Sequence, residues 1–168
     1  DNIKERYAAR HQASGYQPPY RSATMAGLGV WCLYVATLAP TTGFWDAGEY
    51  ITVAHILGIP HPPGNPLFVI LGWSWDRLLS PFDLSVAVRI NLLSATLSAA
   101  AHGFWFLVVH RVLSRTGDDR VYPLVGACAA VMLSATAFTV WNQSNVNEKV
   151  YTVSFFTIAL VSWIIMRW

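Results

Sequence analysis

The sequence predicts an all-α integral membrane protein. Three observations carry this: 54% of the 168 residues are hydrophobic, only 12% are charged, and the mean hydropathy is +0.39. The apolar residues fall into long runs separated by short polar loops, the pattern of helices that use lipid as solvent. The net charge of +2 comes without any basic run, which gives no support to a nucleic-acid partner. Cys32 and Cys128 lie midway along apolar segments without metal-ligand spacing, so they read as small core residues.

Residues 1–22 are polar, with Lys4, Arg6, Arg10 and Arg21, and lack a signal peptide's apolar centre and cleavage site. They read as a cytoplasmic tail, and 23–168 as the membrane domain. The first span is expected over Ala23–Ala39, stopped by Pro40. In the loop 40–82, Asp46–Leu57 and Pro66–Leu79 are too short to cross a bilayer of about 30 Å and read as two amphipathic helices on the outer surface. The second span is expected from about Asp83 to His110, with Ala95, Ala99 and Gly103 on a small-residue face suited to close packing. Val121–Trp141 and Val150–Met166 read as the third and fourth spans. With the N-terminus inside, eight of the eleven basic residues lie on the inner side, and the first loop and the segment 142–149 face outward.

Chemistry concentrates in Phe44-Trp45-Asp46-Ala47-Gly48-Glu49-Tyr50 and Gly58-Ile59-Pro60-His61-Pro62-Pro63-Gly64. Asp46 or Glu49 could act as a general base toward a hydroxyl, but the same Asp-x-x-Glu spacing fits a capping box at a helix start. The prolines stiffen the backbone around His61, which either holds a ligand oxygen or sits in a structural turn. Arg89, at the start of an otherwise uncharged helix, needs an anion or snorkels to the headgroups. Glu49 and Asp46 are its preferred partners, with Asp76 left open. His102 reads as a helix-to-helix hydrogen bond, and Glu148 as a solvated helix start or a pocket residue. Asn142-Gln143-Ser144 matches a glycosylation acceptor, a pattern common by chance. The sequence has no phosphate-cradling glycine loop, metal-ligand cluster, serine elbow or haem motif, so neither cofactor nor metal is expected.

These motifs resemble the first outer loop of the GT-C class of membrane glycosyltransferases. Protein O-mannosyltransferases carry a similar acidic pair, a His-Pro-Pro segment and an arginine at the start of the second span. A bacterial membrane family of formerly unknown function is still more similar, with Phe-Trp-Asp-x-Gly-Glu, Gly-Ile-Pro-His-Pro-Pro-Gly and a Glu-x-Val-Tyr segment like Glu148–Tyr151. The acids here are not adjacent as in the mannosyltransferases, and those enzymes have many more spans. The resemblance implies a bacterial inner-membrane enzyme that moves a sugar from a polyprenyl-phosphate donor to a hydroxyl acceptor on the outer face. In that scheme Asp46 and Glu49 are catalytic, and His61, Arg89, Tyr50 and Glu148 bind substrate. Membrane lipids and other membrane proteins are the further expected partners. The competing readings are a non-enzymatic membrane subunit that packs in a larger complex and, more weakly, a small transporter. The chain is expected to be either processed and short or part of a longer polypeptide.

Overall fold

The computed structural model describes residues 16–43, 45–116, 120–146 and 150–168. These form seven helices and no strand: α1 Tyr20–Ala36, α2 Ala47–Ile56, α3 Pro66–Leu79, α4 Val86–Leu113, α5 Val121–Thr136, α6 Phe138–Asn145 and α7 Tyr151–Arg167. The all-helical expectation is met, and α3 has the bounds read from the sequence. Pro66 occupies the first turn of α3, where its missing N–H costs nothing. Ser85 starts α4 by accepting the Val88 N–H on its hydroxyl.

The long helix α4 is the axis of the fold, with α1, α5 and α7 packed around it. Its small-residue face does the predicted work: Gly27 of α1 sits so close that an added Cβ would lie 3.2 Å from the Ala99 carbonyl oxygen. The main core joins Val30 and Tyr34, Ala95, Ala99 and Phe106, Val131, and Trp163. A second core builds the site end, where Tyr50, Ile51 and Ala54 of α2 meet Phe68 and Val69 of α3, Ile90 of α4 and Val153 of α7. His102 makes the predicted bridge between helices. It donates from Nδ1 to the Ser98 carbonyl (2.8 Å), and its Nε2 meets the Ser134 hydroxyl at 3.1 Å.

Three expectations are corrected. Among the described helices only α4, 28 residues long with an 18-residue stretch of mean hydropathy 1.6, is by itself long and apolar enough to cross a membrane, so the helices do not show four separate spans. The expected first and fourth spans, α1 and α7, have 17 residues each, about 25 Å at 1.5 Å per residue. The expected third span is two helices, α5 and α6, bent by 65° where Ala137 turns extended (φ −61°, ψ 127°). The bend lets the polar end of α6 reach inward. Ser144 donates to the Ser98 hydroxyl (2.7 Å), and the Asn145 amide donates to Thr37 Oγ1 (3.0 Å). Ser144 is thereby buried. Finally, Cys32 and Cys128 are exposed on the outside of their helices, not in the core. In an apolar helix composition does not distinguish the packed face from the outer one.

Candidate functional site

The site lies at the start of α2. Trp45 (φ 62°) turns the chain in the left-handed region just before Asp46, and Leu57 (φ 53°) does the same at the other end of the helix. The segment 58–65 then folds back over the first turn of α2. Its return is fixed by Glu49, whose two carboxylate oxygens each take a bond from His61: the backbone N–H at 2.6 Å and Nδ1–H at 2.8 Å. Donation from Nδ1 leaves Nε2 facing Asp46, with the Asp46 carboxylate 4.0 Å away. The His61 bonds, side chain first and then backbone, hold the Glu49 carboxyl below its usual pKa of 4.5.

Asp46 makes no side-chain cap on α2, and Glu49 turns to His61, so no capping box forms. Asp46, Glu49 and His61 are all partly open to solvent, as a site that meets an incoming hydroxyl requires. Tyr50 is different. Its ring is buried edge-on against His61 (5.8 Å) and Phe68 (5.5 Å), and its hydroxyl accepts from the Asn65 amide at 2.7 Å. Tyr50 therefore braces the loop from behind.

Ligand atoms of Asp46, Glu49 and His61 lie within 4.8 Å of one another, close enough for one cation to bridge. The sequence points to these three residues as neighbours but shows no cluster at metal-ligand spacing, because His61 follows Glu49 by twelve residues.

Arg89 does not join this cluster through the two acids preferred for it. Its Nε lies 3.2 Å from Oδ1 of Asp76, and its Nη1 donates to the Asp76 carbonyl at 3.1 Å. The first contact is an ion pair without hydrogen-bond alignment. Asp76 is fully buried and also accepts from His55 Nδ1 at 2.8 Å. Trp75 closes the same knot by donating Nε1–H to the Arg89 carbonyl (2.9 Å). The sequence reading did not identify His55 or Asp76 as a pair. The available signal was an acid and a histidine each on the inner face of a short helix. Glu148 lies outside the described residues.

Residues 46–168 match the family described as the Protein O-mannosyl-transferase TMEM260 N-terminal domain. The chain is 40% identical over 78 residues to Protein O-mannosyl-transferase tmem260 of Dictyostelium discoideum, covering 46% of this chain and 10% of that protein. It is 40% identical over 99 residues to Protein O-mannosyl-transferase TMEM260 of Mus musculus, covering 56% of this chain and 14% of that protein. The chain thus matches only a small part of either relative's length. No solved structure matches.

Proposed function

The chain belongs to the TMEM260 N-terminal domain family of protein O-mannosyl-transferases, and on that premise we propose that it is the N-terminal membrane part of a glycosyltransferase carrying the acceptor-activating base. The donor is a sugar on a polyprenyl phosphate and the acceptor a hydroxyl, met on the outer face of a membrane, with the bacterial inner membrane as the location. In this reading α4 crosses the bilayer and α1, α5 and α7 pack around it within the membrane. Exposed apolar residues on the outer helices, such as Met25 (73%) and Leu133 (74%), support a lipid environment. The excess of basic residues on the N-terminal side supports an N-terminus inside.

The observation that carries the proposal is the Asp46–Glu49–His61 cluster, formed within the family-matched residues without a capping role. Asp46 takes the proton as the acceptor oxygen attacks C1 of the sugar. The bond from C1 to the phosphate oxygen breaks, the configuration at C1 inverts, and the polyprenyl phosphate leaves with the electron pair. Glu49 fixes His61, and His61 orders the mouth of the site. Arg89, expected to bind the phosphate, becomes a positioning residue whose charge Asp76 neutralises.

The test is Asp46→Asn in the full-length protein, assayed for mannose transfer from a polyprenyl-phosphate donor. Removing a general base lowers the rate by about 10²–10⁴-fold, and the thermal midpoint stays unchanged because shape is kept. Full activity in this variant defeats the assignment. No transfer by the parent protein, with stable capture in a larger complex, favours the non-enzymatic subunit.

A further inference from the structure

The opposite end of α4 carries a second cluster of chemistry that the transferase reading does not use. Arg89 and Arg111 are 22 residues apart on one continuous helix, about 33 Å at 1.5 Å per residue. At the Arg111 end, the C-termini of α4 and α7 and the approach to α1 enclose a cavity of about 590 Å³. Three guanidiniums border it: Arg111, Arg115 and Arg167. Among the described residues none of them is in an ion pair. Arg111 lies over the Tyr16 ring, 4.3 Å from its centroid, and Tyr16 is tied to His110 Nδ1 at 2.9 Å. Burial pushes the Tyr16 phenol up to about 12, so its hydroxyl keeps its proton across the physiological range.

A basic residue in the last turn of a helix offsets the negative end of the helix dipole. That accounts for Arg111 and Arg167 one at a time. It does not account for guanidiniums from two helix ends bordering the same cavity, with an aromatic from the α1 approach fixing one of them. The remaining wall is apolar and aromatic: Trp163 is buried, Met166 half-buried and Ile165 exposed. Guanidinium forks fit phosphate oxygens, tryptophan and tyrosine favour the headgroup level, and basic pockets between helices on the inner side bind anionic headgroups.

We propose that this end of the α1–α4–α7 bundle is a binding site for the headgroup of an anionic phospholipid. Its phosphate is held by Arg111, Arg115 and Arg167, and the start of its acyl chains lies along Ile165 and Met166. The apolar wall favours a lipid over a free anion, because inorganic phosphate gains nothing from it. The separation along α4 makes this site distinct from the Asp46 cluster, so it stands whether or not the transferase proposal holds.

The experiment is native mass spectrometry of the full-length protein in neutral detergent. It is run with added phosphatidylglycerol, with phosphatidylcholine, and with phosphatidylglycerol in competition with inorganic phosphate. Phosphatidylglycerol should be retained preferentially. The triple variant Arg111→Gln/Arg115→Gln/Arg167→Gln should lose that preference, about fivefold per guanidinium and roughly a hundredfold in all. Arg115→Gln alone, at an exposed position beyond α4, should lower retention about fivefold with an unchanged thermal midpoint, which separates lost binding from lost folding. Equal retention of the two lipids, or a triple variant that behaves like the parent, overturns the proposal. Displacement of phosphatidylglycerol by an equal concentration of inorganic phosphate also overturns it, since the site would then be one for free anions.

Discussion

Asp76→Asn is the sharpest test of how the site end is held. The side chain is 0% exposed and that of Arg89 only 11%. The substitution keeps the size of the side chain and the bond from Arg89 Nη1 to the Asp76 carbonyl. It removes the negative charge facing Nε at 3.2 Å and the charged acceptor of His55 Nδ1 at 2.8 Å. Stripping one partner from a buried ion pair costs about 3–5 kcal/mol, because the other charge stays buried. The amide oxygen of asparagine can still accept one bond, which points to the lower end, about 3 kcal/mol. At about 2–4 °C per kcal/mol for a domain of about 150–250 residues, the thermal midpoint of this domain falls by roughly 6–12 °C. Tryptophan fluorescence of the full-length protein on heating in detergent reads this shift. The double variant Asp76→Asn/Arg89→Gln should recover part of the loss, since the stranded guanidinium is gone, with a coupling of about 2 kcal/mol. A single variant within about 0.5 kcal/mol of the parent, or a cycle without coupling, would refute the claim that a buried charge pair locks α3 to α4.

Glu49→Gln should reduce transfer less than Asp46→Asn, because it weakens the hold on His61 without removing the base; equal loss would move the catalytic role to Glu49. The Glu49 carboxyl is depressed by its His61 bonds, so its contribution to stability is complete above pH 4.5 and is lost as pH falls through the folded-state value. Hydrogen exchange at the His61 amide should therefore lose protection only below about pH 4.5, and loss beginning near neutrality would mean that another group controls the loop. Gly72→Ala places a Cβ 2.8 Å from that of Ala54, so α2 and α3 must separate. Overpacking of this kind costs about 1–3 kcal/mol, and adding Ala54→Gly should restore the midpoint. Chelation with EDTA should leave transfer unchanged, since both Glu49 oxygens are already bonded to His61; a loss restored by one divalent ion would make the Asp46–Glu49–His61 cluster a metal site.

Much of the fold was legible because apolar runs separated by short polar loops mark helices by composition alone. Proline and serine set the bounds of α3, and the small residues along α4 foretold the approach of α1. The broken third span was not legible, since no proline or glycine marks Ala137; the polar end of α6 is held by partners distant in sequence, Ser98 of α4 and Thr37 just past α1. The joining of Glu49 with His61 followed from one acid and one stiff loop near in sequence. The partner of Arg89 could not be chosen the same way. Asp76 stands next to Arg77 in the chain, yet neighbours on a helix point apart. Arg77 donates at 3.5 Å to the His55 carbonyl and lies beside Trp73, whereas Asp76 turns inward to α4. Only the packing of α3 against both α2 and α4 decides between those partners.

That packing also explains how a helix of ten residues is held in place. A helix as short as α2 is marginal alone, because nucleation costs more than a few turns return. Its position must come from tertiary ties, and they fall at its two ends. At the first turn, Glu49 grips His61 while the buried Tyr50 ring braces Asn65, so the loop that forms the mouth is bonded to the helix that supplies the acids. At the last turn, His55 is held by Asp76, and Asp76 by Arg89 of α4, the central helix of the bundle. A shift of α2 by one residue would break both sets of bonds together. The orientation of Asp46 thus depends on Arg89 through two successive contacts and the body of α2, although Arg89 never reaches the acids that the sequence suggested for it.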